Sequence, residues 1–121
     1  MRAKLSALAA AGLSALAIAG VAWASGAKTT VTIKGPDHVY GTIKSPRSKC
    51  LGGRKLFIYK QKGSSQNPKV DQKAYGPTTS TRQGNKGVWD AGNPGLGHGK
   101  FYAEAKKKPG CKAGFSKTVH F

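Results

Sequence analysis

Two cysteines are the residues of this 121-residue chain whose chemistry can be specified most directly. Cys50 and Cys111 are the only cysteines of the sequence, and no Cys-x-x-Cys spacing is present. A metal pair or a catalytic thiol would need partner residues that the sequence does not supply. Basic residues followed by an apolar run at the start of the sequence indicate export, and in an exported chain an even number of cysteines indicates disulfide bonding. Two cysteines permit one intramolecular bond. We therefore predict a disulfide between Cys50 and Cys111.

This disulfide would bring together basic side chains that are far apart in the sequence. It would join the turn before a central strand to the turn before the last strand, and both turns are rich in lysine and arginine. The cations gathered at one end of the domain would be Arg47, Lys49, Arg54, Lys55, Lys106, Lys107, Lys108 and Lys112. Such a patch binds polyanions by counterion release. The alternative is that these residues only solubilise the domain and protect its edge strands from pairing.

Carboxylates and histidines are too few and too scattered to predict an active site or a metal site. Paired acid catalysis needs two carboxylates at close range, and zinc needs three or four converging ligands. The histidines show neither an H-x-H nor an H-x-x-x-H spacing. The residues concerned are Asp37, Asp71, Asp90, Glu104, His38, His98 and His120. We predict no catalytic residue, no metal ligand and no cofactor, and hence a protein that is not an enzyme.

Two short motifs partly match catalytic or phosphate-binding loops, and each lacks a required residue. Ser116 follows a glycine at the usual spacing, but Thr118 stands where a nucleophile elbow needs its second glycine. The Gly-Lys dipeptide at 99–100 ends a glycine-rich stretch. Pro94 and Phe101, however, replace the first glycine and the metal-binding hydroxyl of a phosphate loop. The sequence thus indicates neither a hydrolase nor a nucleotide-binding protein.

The elements that would position these residues are short strands. Apolar runs separated by glycine, proline, serine and asparagine are typical of an all-β domain. Val31 and Ile33 alternate with polar residues and predict a half-buried strand. The segment Lys55–Lys60 holds four consecutive apolar residues, which predict a central strand covered on both faces. The remaining predictions are strands over 39–43, 78–81, 100–106 and 111–121, a buried Trp89 and a glycine-rich connection over 92–99.

Six or seven strands in about 95 residues, with one long-range disulfide, favour an all-β, seven-stranded, two-sheet sandwich. Four segments add to this prediction: Val39-Tyr40-Gly41-Thr42-Ile43; Arg54 to Lys60; Thr78-Thr79-Ser80 with Gly87-Val88-Trp89; and Gly99-Lys100-Phe101-Tyr102-Ala103. Their order resembles the transthyretin-like and carboxypeptidase-regulatory-like (Ig-like) sandwiches. The resemblance covers about residues 29–121 and implies a non-catalytic accessory or binding module. The cysteine pair and the glycine-rich insert are not part of that general pattern.

The start of the chain predicts where the protein works. Basic residues at 2 and 4 precede an apolar run over 5–21, and Ala22-Trp23-Ala24 supplies small residues at −3 and −1. This is the pattern of a secretory signal peptide, cleaved after Ala24 or slightly later, after Ala27. A retained membrane helix is the alternative, although a span needs about 20 apolar residues. The expected organisation is a helical signal peptide over 1–24 and a secreted β-sandwich domain over 25–121.

Net charge is the other unusual property of the sequence. There are 21 lysine and arginine residues against four acidic ones, which gives a formal net charge of +17. Such a charge attracts phosphates, anionic polysaccharides and acidic lipid head groups alike. We expect a monomeric binding or structural module of the cell surface or envelope. Its expected partner is an anionic surface polymer, with no nucleotide cofactor and no membrane span after signal cleavage. The alternative is a cationic effector of anionic membranes, which the lack of a basic amphipathic helix disfavours.

Overall fold

The computed structural model describes residues 26–121, which form two antiparallel β-sheets. The predicted signal peptide over 1–24 lies outside the described residues. Within residues 26–121 the strands are β1 (Thr30–Val31), β2 (Val39–Lys44), β3 (Lys55–Lys60), β4 (Gln72–Thr79), β5 (Thr81–Gln83), β6 (Lys86–Gly92), β7 (Lys100–Ala105), β8 (Gly114–Phe115) and β9 (Val119–His120). A short 3-10 turn spans Ser48–Cys50. One sheet has the order β1-β2-β6-β5, and the other has the order β4-β3-β7-β8 with β9 also paired to β7.

The two sheets enclose one apolar core. Because successive side chains of a strand point to opposite faces, alternate residues of each strand meet between the sheets. The buried side chains of this core are Val31, Ile33, Val39, Ile43, Leu51, Leu56, Ile58, Trp89, Ala91, Phe101, Ala103 and Ala105. Strand β3 lies between β4 and β7, as its apolar run predicts. The all-β, two-sheet prediction is confirmed, including the buried Trp89.

Strand β4 begins earlier than the sequence predicts. Only its end, at Thr78 and Thr79, has strand-like composition, whereas the structure extends it back to Gln72. It is an edge strand, and its register against β3 shifts twice. Pro77 is tolerated there because an edge strand pairs on one side only. Most side chains of β4 are polar or exposed, and the strand is held by backbone pairing with β3. Its sequence therefore lacks the alternation of apolar and polar residues that would predict a strand.

The predicted closing strand over 111–121 is divided in two. Strands β8 and β9 both pair with β7, and Ser116 lies between them. The Ser116 hydroxyl accepts a hydrogen bond from the Ala103 N–H at 2.8 Å, and the Ser116 N–H donates to the Ala103 carbonyl at 2.9 Å. Val119 and Phe121 pack against the core as their spacing predicts. The division of this segment, and that of the predicted strand over 78–81 between β4 and β5, bring the number of strands among residues 26–121 to nine.

The chain passes from one sheet to the other at Ser80, between β4 and β5. The buried Ser80 hydroxyl donates to the Leu51 carbonyl at 2.7 Å and accepts from the Arg54 N–H at 3.0 Å. Backbone hydrogen bonds also join Ser80 to Gly53 and Arg54. This crossing therefore anchors the turn that precedes β3, where several of the predicted cations lie.

A second buried layer lies on the outer face of the five-stranded sheet. Tyr59 and Tyr102 point away from the main core and stack with ring centroids 5.4 Å apart. The segment between β3 and β4 lies against them, because Asp71 accepts a hydrogen bond from the Tyr102 hydroxyl at 2.5 Å. Gln66 of the same segment donates to the Ser116 carbonyl at 2.9 Å. These aromatic rings are consequently structural rather than available to a ligand.

Candidate anion-binding end

The predicted disulfide between Cys50 and Cys111 is confirmed. Both residues are buried, and their Cα atoms are 5.6 Å apart despite a sequence separation of 61 residues. Ala27 completes a small cluster around the bond. Its N–H donates to the Gly110 carbonyl at 3.0 Å, and its carbonyl accepts from the Lys112 N–H at 2.9 Å. The start of the described chain is thereby tied to the same end of the domain.

Arg54 lies inside this end of the domain, with only 1% of its surface exposed. Its guanidinium donates to the carbonyls of Cys50 (3.0 Å), Lys106 (2.9 and 3.2 Å) and Lys112 (2.8 Å). It also donates to the Thr29 hydroxyl at 2.9 Å. Burial lowers the pKa of Arg54, but an arginine remains charged in proteins. Arg54 thus binds both basic turns from within and does not present its charge to a ligand.

The other seven predicted cations lie around the disulfide, and we call them the basic end. Lys49, Lys55, Lys106, Lys107 and Lys112 are exposed, whereas Arg47 and Lys108 are half-buried. Contacts between the two turns bring them together. Lys108 Nζ donates to the Gly52 carbonyl at 3.3 Å, and the Lys106 N–H donates to the Lys55 carbonyl at 2.9 Å.

Gly110 shows how closely the two turns approach. Its φ of +81° lies in the left-handed region, which favours glycine. A Cβ at this position would lie 2.6 Å from Lys49 Nζ and 3.1 Å from an Arg47 guanidinium nitrogen. Cations that are 61 and 63 positions away in the sequence therefore lie directly over this glycine.

Two shallow clefts lie within the basic end. One, of about 220 Å³, is lined by Gly53, Arg54, Lys55, Lys106, Lys107 and Lys108. The other, of about 510 Å³, follows the turn from Lys107 to Ala113. Lysine side chains contribute to both linings, and Pro109 and Ala113 also line the larger cleft. This arrangement suits negatively charged groups on a flexible chain better than it suits an enclosed small molecule.

Glu104 is the carboxylate that reaches the basic end. Its Oε2 lies 3.7 Å from Lys106 Nζ, and its Oε1 accepts a hydrogen bond from the Tyr59 hydroxyl at 3.1 Å. Burial, with the adjacent Glu104 charge and hydrogen bond, raises the pKa of Tyr59 to about 12. Tyr59 therefore stays neutral at physiological pH. Glu104 supplies one negative charge near the several exposed cations of the basic end.

The contacts of Asp71, Asp90 and His38 are mainly with neighbouring side chains and backbone N–H groups. Asp71 accepts hydrogen bonds from the Tyr102 hydroxyl and from the backbone of Lys62 and Asn67. His38 lies 2.8 Å from Asp90, and both side chains are largely exposed. Within residues 26–121, no three His, Cys, Asp or Glu side chains are grouped to hold a metal ion.

Two lysines adjoining the basic end carry no sequence signal that links them to it. Lys28 and Lys44 line a polar cleft of about 480 Å³ with Thr30, Ser45, Pro46 and Asn85. Lys44 is opposite Thr30 in the register of β1 and β2, and Ser45 leads directly into the basic turn. Only the pairing of β1 with β2 shows that these lysines are neighbours, since they are 16 positions apart in sequence.

Comparison with protein-family models, with curated proteins and with solved structures finds no match to this chain. The resemblance to transthyretin-like sandwiches accordingly stays a prediction. Among residues 26–121, no helix has both the length and the apolar character needed to cross a bilayer.

Proposed function

We propose that this chain is a secreted, non-catalytic β-sandwich protein that binds an anionic polymer of the cell surface or envelope through the basic end. The observation that carries the proposal is the convergence of two basic turns. They come from distant parts of the sequence and are held together by the Cys50–Cys111 disulfide and by Arg54. Solubility alone needs dispersed charge, and it does not need cations anchored side by side.

The energetic cost of crowding these cations supports a ligand of opposite charge. Like charges repel one another, so a cluster of exposed ammonium groups destabilises the folded state that contains it. Glu104 offsets only part of this repulsion, through Lys106. A polyanion would relieve the repulsion and release the counterions condensed along its own chain.

The predicted location is consistent with such a partner. The N-terminal signal-peptide pattern and the disulfide both favour an oxidising compartment outside the cytoplasm. A monomeric accessory or binding module is also what the transthyretin-like resemblance implies.

The proposal is tested by retention of the oxidised protein on polyanionic resins across a salt gradient. Replacing Lys106, Lys107 and Lys108 by Gln should lower the eluting salt concentration and reduce the slope of log affinity against log salt by up to about three. The matched control replaces Lys62, Lys69 and Lys117, which are exposed and lie outside the basic end. That control should reduce the slope by less than about one.

Equal losses in the two triple variants would mean that diffuse charge, and not the basic end, drives binding. Release of dye from anionic vesicles at protein concentrations that saturate the resin would instead favour the cationic membrane effector. Elution from all resins at the same salt concentration would mean that the protein does not distinguish among polyanions. The protein would then be an exported structural domain.

A further inference from the structure

The outer face of strands β1 and β2 carries an ordered row of polar and aromatic side chains. Thr30 is opposite Lys44, and the hydroxyls of Thr32 and Thr42 lie 2.7 Å apart. Tyr40 follows on the same face, opposite Lys34. From Lys44 to Tyr40 the row extends about 13 Å along β2. We call this row the β1–β2 face.

Tyr40 at one end of the β1–β2 face is a large aromatic side chain left 42% exposed. The His38 ring lies beside it, with ring centroids 5.1 Å apart. Asp90 holds His38 through a 2.8 Å contact and itself accepts the Gly92 N–H at 2.6 Å. These side chains line a shallow cleft of about 390 Å³ with Thr42, Thr81 and Val88. The Tyr40 ring is thus presented at an organised polar surface.

The opposite end of the β1–β2 face meets the cleft between Lys28 and Lys44, next to the basic end. Ammonium groups, hydroxyls and an aromatic ring therefore follow one another along one face of the sheet. A sugar ring has an apolar C–H face and a rim of hydroxyls, so it matches an aromatic ring flanked by hydrogen-bonding groups. Carboxylates or sulfates on such a polymer would match the lysines.

We propose that the β1–β2 face is a saccharide-binding surface and that the ligand of the basic end is an acidic polysaccharide. This inference rests on the proposed function, because it names the class of polyanion that the basic end binds. A polyphosphate has no C–H face to cover Tyr40. A lipid surface would require inserted apolar side chains, and the aliphatic side chain in the cleft beside Tyr40 is Val88 alone.

The experiment compares two polyanions by calorimetric titration of the oxidised protein at one ionic strength. The probes are an oligogalacturonate and an inorganic polyphosphate of similar charge number. Tyr40→Ala should weaken oligogalacturonate binding about tenfold and leave polyphosphate binding unchanged. Tyr40→Phe keeps the ring and should retain affinity within about threefold. Val70→Ala is the control, because Val70 is an exposed apolar side chain (58%) in the segment before β4, outside the β1–β2 face, and it should change neither affinity.

Three outcomes would overturn the inference. They are undetectable oligogalacturonate binding by the wild type, unchanged binding by Tyr40→Ala, and an equal loss for both probes. The Lys106, Lys107 and Lys108 triple variant separates this failure from that of the proposed function. If the triple variant binds polyphosphate more weakly than the wild type while Tyr40→Ala has no effect, the basic end binds polyanions by charge and the protein does not recognise the sugar ring. If the triple variant binds both probes as the wild type does, the proposed function itself fails.

Discussion

Arg54 is a buried cation whose guanidinium donates five hydrogen bonds within the described chain, all of them to neutral oxygen atoms. Removing a charge from water is costly unless polar groups replace the lost hydration. Here the carbonyls of Cys50, Lys106 and Lys112 provide that replacement, and a planar guanidinium can serve several of them at once. The same atoms belong to both turns of the basic end, so one side chain sets their separation.

Replacing Arg54 by Met should lower the free energy of unfolding by at least about 3 kcal/mol, because buried carbonyls would lose their donors. Arg54→Lys keeps the charge but has fewer donors and no planar fork, so it should lose less than the Met variant. Urea denaturation of the oxidised variants measures both differences. A Met variant as stable as the wild type would show that these hydrogen bonds contribute no net stability.

Asp71 contributes to the stability of the folded state in a pH-dependent way. The Tyr102 hydroxyl, and then the N–H groups of Lys62 and Asn67, hold the pKa of Asp71 below its ordinary value of 3.8. A lowered pKa in the folded state means that the stabilisation is present above about pH 3.8 and is lost as the pH falls through the folded value. Asp71→Asn should therefore have a lower free energy of unfolding than the wild type at neutral pH. The difference between the two free energies should become smaller in acid.

Urea denaturation of Asp71→Asn at pH 7 and at about pH 2.5 checks this expectation. Asp37→Asn serves as the control, since Asp37 is exposed and lies in a turn. The control should follow the wild type at both pH values. If the difference in free energy of unfolding between Asp71→Asn and the wild type is the same at both pH values, the substitution acts through packing and not through the ionisation of Asp71.

At the scale of elements, the basic end is a junction of turns rather than a face of a sheet. The 3-10 turn before β3, the turn after β7 and the segment before β1 meet around the Cys50–Cys111 bond. Ser80, which lies between β4 and β5, is hydrogen-bonded to the turn before β3 and so joins this junction. Short turns contribute little apolar surface, so a covalent link has a large share in holding this junction together.

Replacing both cysteines by Ala should destabilise the domain by about 4 kcal/mol, the loop-closure value for a bond that spans about 60 residues. Thermal and urea unfolding of the variant measure the loss, and the reduced wild type should match it. When the purified wild-type protein is denatured without a reducing agent, thiol titration should find no reactive cysteine. One free thiol per chain, or a loss under about 1 kcal/mol, would contradict this role for the bond.

At the scale of the whole molecule, a net charge of +17 on 121 residues acts against the compact state. Two of the four acidic residues have partners away from the basic end: Asp71 supports the segment before β4, and Asp90 contacts His38. Little negative charge is left to offset the exposed lysines, so the molecule carries a strong positive field. That field explains attraction to polyanions in general, whereas discrimination among them needs the basic end and the β1–β2 face.

Local patterns in the sequence account for much of the architecture. Alternation at Val31 and Ile33 indicated β1 because strand burial repeats every second residue, although the strand itself ends at Val31. The apolar run of Lys55–Lys60 indicated β3 because a strand covered on both faces carries apolar residues at successive positions. The cysteine pair predicted its own bond, since two cysteines allow one intramolecular pairing. Composition alone predicted the net charge. Each of these properties depends on neighbouring residues or on simple counts, and so each can be read without the fold.

The tertiary structure alone decided the rest. The sequence placed Arg54 with the exposed cations, but carbonyls at positions 50, 106 and 112 converge on it and bury it. Pairing of β1 with β2 made Lys28 and Lys44 neighbours and aligned Tyr40 with the threonines. Edge pairing extended β4 without an apolar pattern. Contacts between residues tens of positions apart leave no periodic trace in the sequence, so which cation is buried and which surface is continuous emerges only when the chain folds.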